Sequence, residues 1–177
     1  MMEPLVVAPR EVHDLVMRCA RVAGCDSGTA NRVARNITAA EVRWGGAVAV
    51  ATEVLEAGDP ANSASIQALD VLAEAECDAR TTGTSRAGFE TPVPVAFLAS
   101  TIAEMAGRGV VVDNLPLDLT AALAVSGLDL STGVADLPSS VEAHRDGLSV
   151  DSVAFNRLEA MASRFLVSEA ILDGLEH

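Results

Sequence analysis

From Val12 to Trp44 the apolar residues recur at three- and four-residue steps, and this period limits the fold more than any other feature, because a helix alone turns those positions onto one face. Pro9 fits a first helical position, and Val12, Leu15, Val16, Cys19 and Val22 follow until Gly24 interrupts the pattern. Asp26 or Ser27 can cap a second helix, with Ala30, Val33, Ile37, Ala40 and Trp44 inside and Gly45 and Gly46 at its end. A third helix is expected over 47–57, closed by Gly58, Asp59 and Pro60. A fourth starts at Ser63 or Ser65 and buries Ile66, Leu69, Val71, Leu72 and Ala75. Aromatic residues make up only 3% of the chain and Tyr is absent, so the core is built from Ala, Val, Leu and Ile, which favours close helix packing.

The middle of the chain breaks this period. RTTGTSRAGFETPVP, residues 80–94, is rich in Thr, Gly and Pro with neither a helical nor a strand repeat, and reads as a loop. Pro94 opens a further helix through Met105, after which Gly107 and Gly109 lead into VVVDN, a β-branched run that reads as a buried strand. LTAALAVSGLDLSTG fits either strands or a short helix. Asp151 can cap a last helix carrying Val153, Leu158, Met161, Ala162 and Phe165. The expected fold is α+β: a helical N-terminal half packed on a small sheet, made of 109–113 and segments between 117 and 150, with a C-terminal helix. Residues 1–174 are expected to form a single domain, and the closing LEH, residues 175–177, reads as an expression-tag remnant.

The formal charge of −13 argues against a sequence-independent nucleic-acid grip and against an anionic membrane surface, since both need clustered cations. No apolar run approaches the roughly 20 residues of a membrane helix, and MMEPLVVAPR lacks the pattern of a secretory signal, so a cytoplasmic location is expected. Cys19, Cys25 and Cys77 are odd in number and at no framework spacing, which fits reduced thiols. All 12 basic residues are arginine. Without lysine a Walker A loop and a pyridoxal-phosphate Schiff base are impossible. GRGVVVDN places its glycines before a strand, whereas a dinucleotide pyrophosphate needs them after one, so no nicotinamide cofactor is expected. Nor is a metal, because His13 and His144 share no ligand spacing with each other or with a cysteine pair.

Several residues invite a chemical reading. Ser85 in GTSRA faintly resembles a nucleophile elbow but lies in loop sequence, and a polar surface turn is the simpler account. Cys77 sits among Glu74, Glu76 and Asp78, which would raise a thiol pKa, and those carboxylates read as a solvated helix face. His13 reads as a helix-surface residue. His144, with Glu142, Arg145 and Asp146 around it, could be held in one tautomer by a carboxylate and act as a general base.

Two family resemblances add to this reading. REVHDLVMRCARVAGCDSGTANRVARNITAAEVRWGG resembles the start of a bacterial family of unknown function, and LSVDSVAFNRLEAMASRFLVSEA is similar to that family's last helix; together they cover about a third of the chain. Where that family continues into a Ser-Arg pair and a Gly-rich tail, this chain has ILDG. The helix, Gly turn, helix and AEVRWGGAVAV are also similar in layout to the N-terminal segment of the type-2 malate and L-lactate dehydrogenases. That family's proton-transfer histidine follows in the next turn, but no histidine lies between His13 and His144 here. The resemblance therefore implies a retained helical corner without the catalysis: Gly45 stops the helix, Gly46 allows close approach, and Trp44 is expected in the core.

Two functions remain open. One is a cofactor-independent enzyme or binding protein for a small organic anion, with Arg43, Arg80 or Arg86 as anion contacts and His144 as general base. The other is a non-catalytic partner or scaffold, expected to be a homo-oligomer, whose Ala-rich helical faces make the contacts.

Overall fold

The computed structural model describes residues 5–134 and 147–165. In chain order they form β1 (Leu5–Val7), α1 (Pro9–Val22), α2 (Ser27–Trp44), α3 (Ala47–Leu55), α4 (Ala64–Thr82), β2 (Thr84–Pro94), α5 (Ala99–Gly107), β3 (Val110–Val112), β4 (Ala124–Thr132), β5 (Leu148–Val150) and α6 (Ser152–Ala162). Short 3-10 turns occupy Pro60–Asn62, Val95–Phe97 and Ser163–Phe165. The fold is α+β, as the alternation of helical and irregular sequence predicts.

Two of the helices, α2 and α6, start where an aspartate side chain satisfies free N–H groups. Asp26 Oδ1 accepts from the N–H of Gly28 at 2.8 Å and of Thr29 at 3.0 Å, and Asp151 Oδ1 accepts from Ala154 N–H at 2.7 Å. α1 packs against both α2 and α6, and the buried faces are mostly Ala and Val. Ala20, Ala30, Ala34, Ala40, Ala47 and Ala51 are wholly buried, so the helix backbones approach closely and Phe97 is the one fully buried aromatic among the described residues. A polar bolt crosses this apolar interior. Buried Asn36 of α2 donates to the Arg32 carbonyl at 2.9 Å and accepts from the N–H of Thr101 at 3.0 Å, fixing α2 against α5.

Two antiparallel sheets flank the helices. β1 pairs with β5, Leu5 opposite Val150, and β2, β4 and β3 form the second sheet in that order, with Thr84 opposite Ser131 and Val110 opposite Thr132. β2 corrects the sequence reading, which places a loop over 80–94. α4 runs on through Arg80 to Thr82, Gly83 ends it at φ +92°, and the chain then pairs with β4 up to Pro94, with a register break between Gly88 and Val93. The strand is imposed from outside the segment: β4 satisfies its backbone, and α4 covers the face carrying Ala87 and Val93. The break and Pro92 and Pro94 blunt what would otherwise be a long open edge. LTAALAVSGLDLSTG resolves to β4, and the helix expected from Pro94 divides into a 3-10 turn and α5.

The acidic stretch of α4 also departs from expectation. Glu74 and Asp78 are exposed, but Glu76 is buried and receives both Nε and Nη2 of Arg108 at 2.7 Å. This fork clamps α4 to the end of α5, and the guanidinium holds the Glu76 carboxyl below the usual carboxylate range against the opposing effect of burial.

Candidate functional site

The corner EVRWGGAVAV is built around a carboxylate. Gly45 donates its N–H to the Glu41 carbonyl at 3.0 Å and ends α2 at φ +71°, and Gly46 turns the chain through the left-handed region at φ +73°. The buried side chain of Glu41 then reaches across the turn, where Oε2 accepts from Val48 N–H at 2.8 Å and Oε1 from Gly46 N–H at 3.2 Å. Glu41 thus supplies the N-terminal cap that Gly46 has no side chain to provide, with negative charge at the positive end of the α3 dipole.

This arrangement holds the last turn of α2, and with it Arg43 and Trp44, against an open cleft. The cleft has a volume of about 550 Å³ and lies between the end of α2, the Ala99–Ala106 face of α5, Val111 and Val112 of β3, and the segment 115–119. Its walls are apolar apart from two side chains, Arg43 and Asp118. Trp44 is half-buried and forms part of the wall, which corrects its expected place in the core: the helix ends where the cleft opens, so one part of the ring packs inward and another meets solvent. The Arg43 guanidinium carbon lies 5.9 Å from the indole centroid, within cation–π range.

Arg43 differs from most arginines of the chain. Arg32 pairs with Asp70, Arg35 with Glu104, Arg86 with Asp129, Arg108 with Glu76 and Arg157 with Glu56, while Arg43 makes no ion pair or hydrogen bond among the described residues. Of the anion contacts expected from sequence, the cleft holds Arg43 alone. Arg80 lies in the last turn of α4, where Nη2 donates to the Arg108 carbonyl at 3.4 Å, and Arg86 projects from β2 towards Asp129 of β4. His144 lies outside the described residues. Ser85 sits on β2 rather than in a surface turn, and its hydroxyl donates to the Ala75 carbonyl, tying the strand to α4. No sequence motif marks Glu41, Asn36 or Asp118 as a candidate. An acidic residue four positions before a glycine pair is the one signal that could have marked Glu41.

A second groove of about 560 Å³ runs beside α6 and carries Arg157, which pairs with Glu56, and Arg164, which makes no ion pair among the described residues; unlike the first cleft, it is lined by a neutralised pair beside the free cation. Among the described residues no three His, Cys, Asp or Glu side chains converge as metal ligands, and no helix is long and apolar enough to cross a membrane.

The thiols are set apart from this site. Cys19 is buried and donates to the Leu158 carbonyl at 3.1 Å, and burial pushes its pKa up to about 12; burial also raises that of Cys25. Cys77 is exposed. A thiol-exchange reagent is therefore expected to modify Cys77 quickly in the folded protein, and the other two only after denaturation. Rapid native labelling of Cys19, read by peptide mass spectrometry, would contradict this burial.

Comparison with known protein families, with curated proteins and with solved structures finds no match.

Proposed function

We propose that the chain binds a small amphipathic carboxylate in the cleft between α2, α5 and β3. One observation carries this reading: an apolar cavity of ligand size has at its edge a guanidinium that no acid of the described chain neutralises, in a protein of formal charge −13. An anion is repelled by most of such a surface and settles where positive charge is locally uncompensated. Trp44 orients the guanidinium fork without using its N–H groups, which leaves them for a carboxylate. The apolar walls take the hydrocarbon part. The described lining side chains include no histidine, serine, threonine or cysteine, and the activity this reading assigns to the cleft is binding.

Titration calorimetry with butyrate, hexanoate and octanoate tests the reading. Affinity is expected to rise with chain length as more CH2 groups leave water, by up to about 0.8 kcal/mol for each. Arg43→Gln is expected to remove a charge-assisted bond of about 1.5 to 3 kcal/mol, weakening binding by roughly one to two orders of magnitude with little change in melting temperature. Ala103→Phe, which fills the cleft from α5, is expected to abolish binding. Equal affinities in the parent and both variants would remove the cleft as the site.

The competing reading, a homo-oligomeric scaffold, is favoured by Leu117, which stands fully exposed at the same cleft. A concentration-dependent mass in sedimentation that Leu117→Ser abolishes, with no carboxylate binding, would decide for it.

A further inference from the structure

Asp118 is the second charged side chain of the cleft, and like Arg43 it makes no ion pair or hydrogen bond among the described residues. It lies in the connection between β3 and β4, within the alternation Leu115, Leu117, Leu119, whose three leucines line the same space. No ion pair joins Arg43 to Asp118, so the two charges stand apart on a shared apolar surface. A ligand with a carboxylate alone would gain from Arg43 and lose to Asp118. A ligand that also carries an ammonium group would satisfy both.

We infer that the ligand of this cleft is a zwitterion, with a carboxylate for Arg43, an ammonium group for Asp118 and an apolar body against α5 and β3. The inference rests on the carboxylate-binding reading and adds the second charge to it. Opposite charges at fixed places give selectivity more than raw affinity, because each wrong ligand brings a like charge against one of them or leaves one desolvated without a partner. The arrangement discriminates against fatty acids through Asp118 and against alkylamines through Arg43. The overall negative charge of the protein adds to the first of these.

The test sets hexanoate, norleucine, ε-aminocaproate and hexylamine against one another by calorimetry on the full chain. Norleucine carries both charges at one end, and ε-aminocaproate one at each end, so the pair also reads the spacing. At least one zwitterion is expected to bind about tenfold or more tighter than hexanoate, and hexylamine weakly, with the preference shrinking as salt rises. Asp118→Asn is expected to erase the preference while hexanoate binds as well as before or better. Asp118→Lys, a second variant at this exposed position, is expected to reverse it in favour of hexanoate. Hexanoate binding the parent as tightly as both zwitterions, or a zwitterion preference that survives in Asp118→Asn, overturns the inference and leaves carboxylate binding intact. Failure of every ligand to bind overturns both.

Discussion

Replacing Glu41 by alanine is expected to destabilise the protein by about 2 to 3 kcal/mol, because two backbone donors lose a charged acceptor in one step. The Val48 N–H is buried and can find no water in exchange, whereas Gly46 is exposed and recovers part of its bond from solvent. For a chain of this length each kcal/mol moves the melting temperature by roughly 2 to 4 °C, so a drop of about 4 to 12 °C is expected in a thermal scan. Glu41→Gln separates the two effects. Its amide keeps one acceptor oxygen but turns an N–H towards the second donor, and it also removes the charge at the start of α3, so an intermediate loss is expected. A melting temperature unchanged in both variants would show that the turn forms without the carboxylate.

Phe97→Ala is expected to cost more, about 3 to 5 kcal/mol, with the value in the upper half of that range. Phe97 is wholly buried in the turn between β2 and α5, which packs on α2 and α3. A cavity is relieved when neighbouring side chains swing into it, and the buried faces of α2 and α3 around this turn include Ala30, Ala34, Ala40, Ala47 and Ala51, which have nothing to swing, beside Val33, Ile37, Val48 and Leu55. Denaturant unfolding reads the effect as a lowered midpoint at constant slope. Phe97→Leu, which keeps most of the volume, is expected to lose less than half as much. A loss below about 1 kcal/mol for Phe97→Ala would mean that the helices close the gap by moving as bodies.

What the sequence discloses and what it withholds divide along the distance over which a residue acts. α1 and α2 are legible because their period, Pro9, Asp26, Gly24 and the Gly45-Gly46 pair all act within a few positions of the elements they define. Asp151 caps α6 for the same reason. β2 is not legible, because nothing within 84–94 calls for a strand; β4, some forty residues later, supplies its hydrogen bonds. Glu76 looks solvated beside Glu74 and Asp78 until Arg108 arrives from 32 residues away. The same applies to Asn36, whose partner Thr101 is 65 positions distant. Of the candidate site, Arg43 is visible as a cation at a helix end, but its lack of an acidic neighbour is a property of the fold. Trp44 reads as core because an indole on the apolar face of a helix usually is; that α2 stops beside an opening cannot be inferred from the residue type.

The position of Trp44 gives the protein an optical property. The chain has a single Trp and no Tyr, so excitation in the near ultraviolet selects one indole, and that indole forms part of the cleft wall. It packs partly against the interior and is partly exposed at the cleft, an environment in which emission wavelength responds to the loss or arrival of water. The adjacent guanidinium places a positive charge near the ring, and a counter-ion on Arg43 would change the field that the excited state experiences. The unlabelled protein therefore carries its own reporter at the candidate site, with no second fluorophore of its kind elsewhere in the chain to dilute the signal.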